Sequence, residues 1–118
     1  MRHRAVVIAG LLAALFTTTV SAQSSNEYES GKEIVFNPFK GNCLACHGFP
    51  TLRGAESTGN SGPPLIAMQA RFPHKSVLRA KIWDATVSNP TSFMPPFGKH
   101  KVLSDDEIDK VVDFIYSL

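Results

Sequence analysis

The stretch "KGNCLACHGFP", residues 40–50, contains the only two cysteines of the 118-residue chain, and a histidine follows the second cysteine directly. Cys43, Cys46 and His47 therefore have the spacing C-x-x-C-H. Three kinds of site use such a stretch: a disulfide redox pair, part of a zinc site, and the covalent attachment site of a haem. The rest of the chain distinguishes between them.

The first 22 residues have the three-part pattern of a cleaved secretory signal. A short basic start precedes the apolar run "AVVIAGLLAALF", residues 5–16, and small residues stand at Val20 and Ala22. This run is shorter than the roughly 18 residues that a membrane-spanning helix needs. We expect cleavage after Ala22 and an exported, periplasmic protein with no membrane span left after cleavage.

Residues 23–118 are then expected to form one small domain. Without the signal, 96 of the 118 residues remain, and loss of Arg2 and Arg4 reduces Lys plus Arg from 12 to 10, equal to Asp plus Glu. This neutral balance gives no indication of nucleic-acid binding. Since so short a chain buries a modest core, a covalent cofactor would help it to fold.

The haem interpretation accounts for all three residues of the motif. A structural zinc site needs four ligands, and no second cysteine or close histidine pair completes the set. A thioredoxin-like pair lies in a βαβ pattern, which the flanking sequence lacks. Cysteines three apart lie on one helical turn, so both sulfurs can reach one porphyrin edge. We predict one haem c, bound covalently by Cys43 and Cys46, with His47 as an axial ligand of the iron.

The second axial ligand has four candidates after signal removal: Met68, Met94, His74 and His100. Met94 lies in "NPTSFMPPFGKH", where prolines prevent a helix and hold the chain extended. Met68 begins an apolar helical stretch and fits a core position better. Both histidines lie beside basic residues and are expected to be solvated. The sequence therefore favours Met94, and His/Met ligation raises the reduction potential of the haem.

The segment "SGPPL", residues 61–65, is a candidate for orienting His47. A metal-bound histidine usually donates its other ring N–H to a carbonyl. Pro63 or Pro64, with a restricted backbone, could direct such a carbonyl at His47, although the alternative is an ordinary proline-rich turn.

Helical patterns predict an all-α fold, since no stretch alternates convincingly enough to be a strand. Helices are predicted over residues 27–36, 75–87 and from 105 onward, with a helical turn at 43–47 and a loop at 49–64. Ser104 and Glu107 have the spacing of a capping box at the start of the last helix.

These motifs, in this order, resemble the class I cytochrome c fold wrapped around one haem. More closely, residues 31–118 resemble the monohaem X-subunit family of SoxAX cytochrome complexes. The strings "LRAKIWDATVSNP" and "MPPFGKHKVLSDDEIDKVVDFIYSL" carry this likeness more specifically than the haem motif does. The extra "NPFKG" before Cys43 leaves open which of Val35, Phe36 and Phe39 packs against the last helix.

The resemblance implies that Cys43 and Cys46 hold the haem and that His47 and Met94 are its axial ligands. It also implies a periplasmic heterodimer with a SoxA-like haem subunit, a sulfur-carrier protein and a downstream cytochrome. The complex would act as an L-cysteine S-thiosulfotransferase, with this chain as its electron-accepting subunit and no catalytic residues of its own. The alternative is a free-standing periplasmic electron shuttle, whereas a gas sensor would need an open axial site.

Two surface features are candidates for contact with a partner. Phe93, Pro95, Pro96 and Phe97 flank Met94 and could form an apolar contact. A basic rim could surround it, or these cations could simply be a solvated face: Arg71, Lys75, Arg79, Lys81, Lys99, His100 and Lys101.

Overall fold

The computed structural model describes residues 21–118, with side chains from Asn26 onward. Its helices are α1 (Ser21–Phe36), α2 (Met68–Arg71), α3 (Lys75–Trp83) and α4 (Asp105–Tyr116), with 3-10 turns at Cys43–Ala45 and Ala85–Val87. The described residues contain no strand, which confirms the all-α prediction. None of the helices described is long and apolar enough to cross a bilayer.

The predicted signal segment lies outside the described residues except for its last two positions, which belong to α1. Cleavage after Ala22 therefore stays a prediction. The predicted end of the first helix at Phe36 is confirmed. Pro38 follows it, in keeping with the tendency of helices to end before a proline.

Helices α1 and α4 cross at a position where no side chain fits between them. A Cβ atom on Gly31 would lie 2.9 Å from the carbonyl carbon of Lys110 and 2.9 Å from Cβ of Phe114. The ring of Tyr28 meets the ring of Phe114 edge-on, with centroids 5.0 Å apart. Glycine at position 31 thus lets the two helix backbones approach closely.

Val35, Phe36 and Phe39 are the candidates for packing against the last helix. Of these three, Val35 is fully buried in the core. Phe36 is half-buried, and its ring centroid lies 6.1 Å from that of Phe49. Phe39 is 94% exposed. The "NPFKG" segment therefore directs its phenylalanine to the surface.

The capping box at the start of α4 is confirmed. Ser104 Oγ accepts a hydrogen bond from Glu107 N at 3.2 Å, and Glu107 Oε2 accepts one from Ser104 N at 3.0 Å. Lys40 of the "NPFKG" segment forms an ion pair with the same carboxylate. The Lys40 ammonium and then the Ser104 N–H lower the pKa of Glu107. The box therefore also ties the segment before the haem motif to α4.

One hydrophobic core joins all four helices and the loops. It consists of Ile34, Val35, Phe49, Ala55, Leu65, Met68, Leu78, Ile82, Phe97, Leu103, Ile108, Val111, Val112, Phe114 and Ile115. Met68 is 1% exposed, which confirms its prediction as a core side chain.

The predicted helix over residues 75–87 is wrong in its last turn. Helix α3 ends at Trp83, and Asp84 is extended, with φ −158° and ψ 96°. The Asp84 carboxylate accepts a hydrogen bond from Thr86 N at 3.0 Å and so caps the separate turn Ala85–Val87. Aspartate favours such a cap over a helix interior, because its side chain competes for nearby backbone N–H groups.

Candidate haem-binding site

The C-x-x-C-H motif forms one tight turn, as predicted. The turn Cys43–Ala45 follows Asn42, whose backbone is left-handed with φ 47°. The N–H of His47 donates to the carbonyl of Cys43 at 2.9 Å, so the ends of the motif are close together. Both thiols are free, with Cys43 half-buried and Cys46 exposed. Burial raises the pKa of the Cys43 thiol to about 12, which disfavours the thiolate that a redox pair requires.

The imidazole of His47 is oriented by the proline-rich turn. Its Nδ1 lies 2.7 Å from the carbonyl oxygen of Pro63. Because a carbonyl oxygen only accepts hydrogen bonds, we assign the proton to Nδ1, which leaves the lone pair of Nε2 for a metal ion. This is the usual arrangement of a metal-bound histidine. Of the two prolines considered, Pro63 therefore makes the contact, while the carbonyl of Pro64 accepts from Arg71 at 2.7 Å.

Glycines bring the loop before this turn against the motif. A Cβ atom on Gly62 would lie 2.7 Å from Nδ1 and 2.8 Å from Nε2 of His47, too close for any side chain. The N–H of Gly62 donates to the carbonyl of Cys46, and that of Gly59 donates to the carbonyl of Leu44, both at 2.8 Å. Gly62 is not among the predicted site residues, although glycine before two prolines is a recognisable turn signal.

Met94 is half-buried and packs against the core, as does Cys43. It lies in residues 88–104, which form neither helix nor strand, and its N–H donates to Ser92 Oγ at 3.2 Å. His74 and His100 are exposed, as expected. Met94 thus differs from buried Met68 in being partly accessible on a non-helical loop. Its role as axial ligand stays a prediction.

The donor set fits a haem c better than a metal ion held by protein side chains alone. Within residues 21–118, no group of three or more His, Cys, Asp or Glu side chains is arranged to hold a metal ion. Two free thiols beside an imidazole with an available Nε2, together with a thioether on another loop, match the requirements of covalent haem attachment and His/Met ligation.

Part of the predicted basic rim is neutralised by carboxylates. Three of its cations form ion pairs: Lys75 with Asp113, Arg79 with Asp105 and Asp109, and Lys99 with Asp84. The first two tie α3 to α4, which favours the solvated-face interpretation for this part of the rim. Lys101 is exposed and forms no ion pair within the described residues. A charge reversal that tests the rim therefore belongs at Lys101.

The apolar contact predicted beside Met94 is only partly available. Phe93 is 99% exposed and Pro95 is exposed, so both could meet a partner. Phe97 is 7% exposed and belongs to the core, so its predicted surface role is wrong. The backbone N–H groups of Val102 and Leu103 both donate to the Phe97 carbonyl, and this turn directs the ring inward.

The sequence of the chain matches that of a known family. The sequence model of the family described as cytochrome c oxidase, cbb3-type, subunit III matches residues 26–115. The chain belongs to this family. It is a cytochrome c electron-transfer domain, and membership implies haem binding.

Two similar proteins indicate where such a cytochrome c domain occurs. The subunit CcoP of a cbb3-type cytochrome c oxidase from Azospirillum sp. (strain B510) is 30% identical over 120 aligned positions, which cover 89% of this chain. The chain spans 39% of the length of that protein. The crystal structure of SoxXA from P. pantotrophus matches with a TM-score of 0.68 and 26% identity, over 76% of this chain and 80% of the other. The likeness to a SoxX-type cytochrome is thus confirmed at the level of the fold.

Proposed function

We propose that residues 23–118 form an exported, periplasmic cytochrome c that accepts electrons as the monohaem subunit of a SoxAX-like complex. In this proposal Cys43 and Cys46 bind a single haem c through thioether bonds, and His47 and Met94 ligate its iron. The observation that carries the haem assignment is the contact of His47 Nδ1 with the Pro63 carbonyl, because it leaves Nε2 for the metal.

The haem supplies a one-electron redox centre when bound, and the protein side chains set its properties. The Pro63 carbonyl accepts a hydrogen bond from Nδ1–H of His47 and so increases the basicity of the imidazole as a ligand. Gly62 allows the loop to lie against the imidazole. A methionine as second ligand favours the reduced iron, which suits an electron acceptor.

The cysteine content of this chain supports the proposal that the sulfur chemistry takes place on a partner. Transfer of sulfur through a cysteine requires a thiolate, and the chain has no cysteine besides Cys43 and Cys46. With His47 and Met94 as its protein ligands, a haem would supply electron transfer and would leave no position for a substrate on the iron. The proposed partner is a SoxA-like haem subunit, and the complex would couple thiosulfate oxidatively to a cysteine of a sulfur-carrier protein, with electrons leaving to a downstream cytochrome.

The similarity to SoxXA from P. pantotrophus supports this assignment, since it combines 26% identity with coverage of most of both chains. The second candidate is a free-standing periplasmic electron shuttle. The family match and the likeness to part of CcoP support electron transfer outside a SoxAX-like complex, since both describe subunits of a cytochrome c oxidase.

Purification of the untagged protein from the periplasm separates the two candidates. A SoxAX-like subunit should co-purify with a haem-bearing partner in equal amounts. When the reconstituted complex is given thiosulfate and the sulfur carrier, the haem of this chain should become reduced. In the isolated chain, the same additions should leave the haem oxidised. A monomer that exchanges electrons rapidly with several cytochromes and gains no thiosulfate response from any partner would instead support the shuttle.

A further inference from the structure

The carboxylate of Asp84, at the end of α3, is the one buried charged group among the described side chains. Both of its oxygens accept hydrogen bonds. Oδ1 accepts from Thr86 N at 3.0 Å and also from the Thr86 hydroxyl, while Oδ2 accepts from Lys99 Nζ at 2.8 Å. A buried carboxylate whose two oxygens are hydrogen-bonded in this way prefers one arrangement of its surroundings.

Lys99 belongs to the loop that carries Met94, and the same loop meets α3 through its backbone. The N–H groups of Gly98 and Lys99 lie 3.2 and 3.3 Å from the Trp83 carbonyl oxygen. A Cβ atom on Gly98 would lie 2.7 Å from Cζ3 of the Trp83 ring, so the loop rests directly on the indole. Backbone, ring and ion pair thus fix residues 98–99 on the last turn of α3.

Little freedom remains between this attachment and Met94. Pro95 and Pro96 separate Met94 from buried Phe97, and each proline fixes its own φ angle. A shift of residues 97–99 would therefore be passed on to Met94, because two fixed φ angles limit how much of it the connecting backbone can absorb.

We propose that Asp84 is a positioning residue for the axial methionine: through Lys99 it holds the Met94 loop on α3 and thereby keeps the thioether at the iron. This inference rests on the proposed function, in which Met94 is the sixth ligand. It assigns to the ion pair a role in ligand retention in addition to any role in stability.

The two partners of the pair are not equivalent. The Asp84 side chain is 4% exposed, and the Lys99 side chain is 56% exposed. Replacement of Asp84 by Asn leaves a lysine that turns to water. Replacement of Lys99 by Met leaves a buried carboxylate without its counter-charge, which is the more costly defect. Lys99→Met should therefore loosen the loop more than Asp84→Asn does.

The test compares haem-loaded wild type, Asp84→Asn and Lys99→Met with two matched controls, Asp113→Asn and Lys75→Met. The control pair also joins a lysine to an aspartate, at 2.5 Å, but its side chains are 53% and 36% exposed, and it joins α3 to α4 instead of to the Met94 loop. The readouts are the sulfur-to-iron charge-transfer band and the Kd of imidazole for the oxidised protein. Both are measured well below the unfolding temperature, with native helicity verified by circular dichroism.

Imidazole binds by displacing Met94, so its Kd reports how firmly the loop holds the ligand. We expect the Kd to fall about tenfold in Asp84→Asn and further in Lys99→Met, with both controls within about twofold of wild type. If Lys99→Met does not fold, the Kd of Asp84→Asn alone tests the positioning role. Should Asp84→Asn keep the wild-type Kd, the positioning role is excluded even if its unfolding temperature falls.

The wild-type spectrum distinguishes failure of this inference from failure of the proposed function. A wild type without the charge-transfer band contradicts Met94 ligation, and the positioning role with it. A wild type with the band, whose Asp84→Asn variant behaves like Asp113→Asn, contradicts the positioning role alone.

Discussion

His47 Nδ1 lies 2.7 Å from the carbonyl oxygen of Pro63, sixteen residues later in the chain. The contact exists because Gly62 has no side chain: a Cβ there would fall 2.7 Å from the same nitrogen. His47, the predicted axial ligand, and the proline-rich turn therefore depend on each other. The C-x-x-C-H motif provides the imidazole, and the turn sets the position of its proton.

Gly62→Ala should displace the His47 ring and weaken its bond to Pro63. A less basic imidazole stabilises ferric iron less, so we expect the reduction potential of the haem-loaded protein to rise. Redox titration measures this shift, with the exposed neighbour changed in Ser61→Ala as the control. An unchanged reduction potential in Gly62→Ala would mean that the contact between His47 and Pro63 does not affect the potential of the haem.

Met94→Ala should abolish the sulfur-to-iron charge-transfer band of the oxidised protein and lower its potential, because a thioether ligand favours reduced iron. Met68→Ala is the matched control. Since Met68 is 1% exposed in the core, that variant should lose roughly 2–5 kcal/mol of unfolding free energy and keep the band. Loss of the band in Met68→Ala, with retention in Met94→Ala, would reverse the assignment.

Local patterns in the sequence predict the features whose partners lie nearby in the chain. Ser104 and Glu107 are three residues apart, so their capping box is visible in the sequence and is confirmed. The end of α1 before Pro38 is a similar case. The Pro63 contact with His47 was one of two options, and the structure selects it.

Contacts between distant segments were not predictable in this way. The apolar spacing continues past Asp84 and predicts a helix through residue 87. In the structure, the Asp84 carboxylate instead caps the next turn and binds Lys99. Likewise, nothing in the first helix indicates that Gly31 meets the backbone of Lys110. The ligand role of Met94 stays a prediction, since it depends on a group that neither sequence nor fold contains.

Gly31→Ala should destabilise the protein by roughly 1–3 kcal/mol, because the added methyl group overpacks the crossing of α1 and α4. Helix propensity alone predicts the opposite sign, since alanine is the better helix former by about 1 kcal/mol. Denaturant unfolding of the haem-loaded protein measures the change, with Glu29→Ala on the exposed side of α1 as control. Stabilisation by Gly31→Ala would show that the helices do not cross there.

The contribution of Asp84 to stability should depend on acid pH. Hydrogen bonds from Lys99 and then Thr86 lower the pKa of Asp84 from 3.8 to about 2. Because the folded state favours the ionised form, this contribution is fully present above the unfolded pKa and is lost as pH falls through the folded one.

The difference in unfolding free energy between wild type and Asp84→Asn should thus be constant above about pH 5 and shrink between about pH 4 and pH 2. Other acidic groups titrate in both proteins and cancel in the difference. Parallel denaturant titrations at several pH values measure it. A difference that grows on acidification would contradict the depressed pKa.

The most direct test of the haem assignment is intact-mass and peptide-map mass spectrometry of the protein purified from the periplasm. We predict a chain beginning at Gln23, heavier by the mass of one haem, with both thioether bonds on the peptide that contains Cys43 and Cys46. Cys43→Ala with Cys46→Ala should remove that added mass. A wild-type protein whose haem dissociates in acidified acetone, or whose two cysteines form a disulfide, would contradict the account.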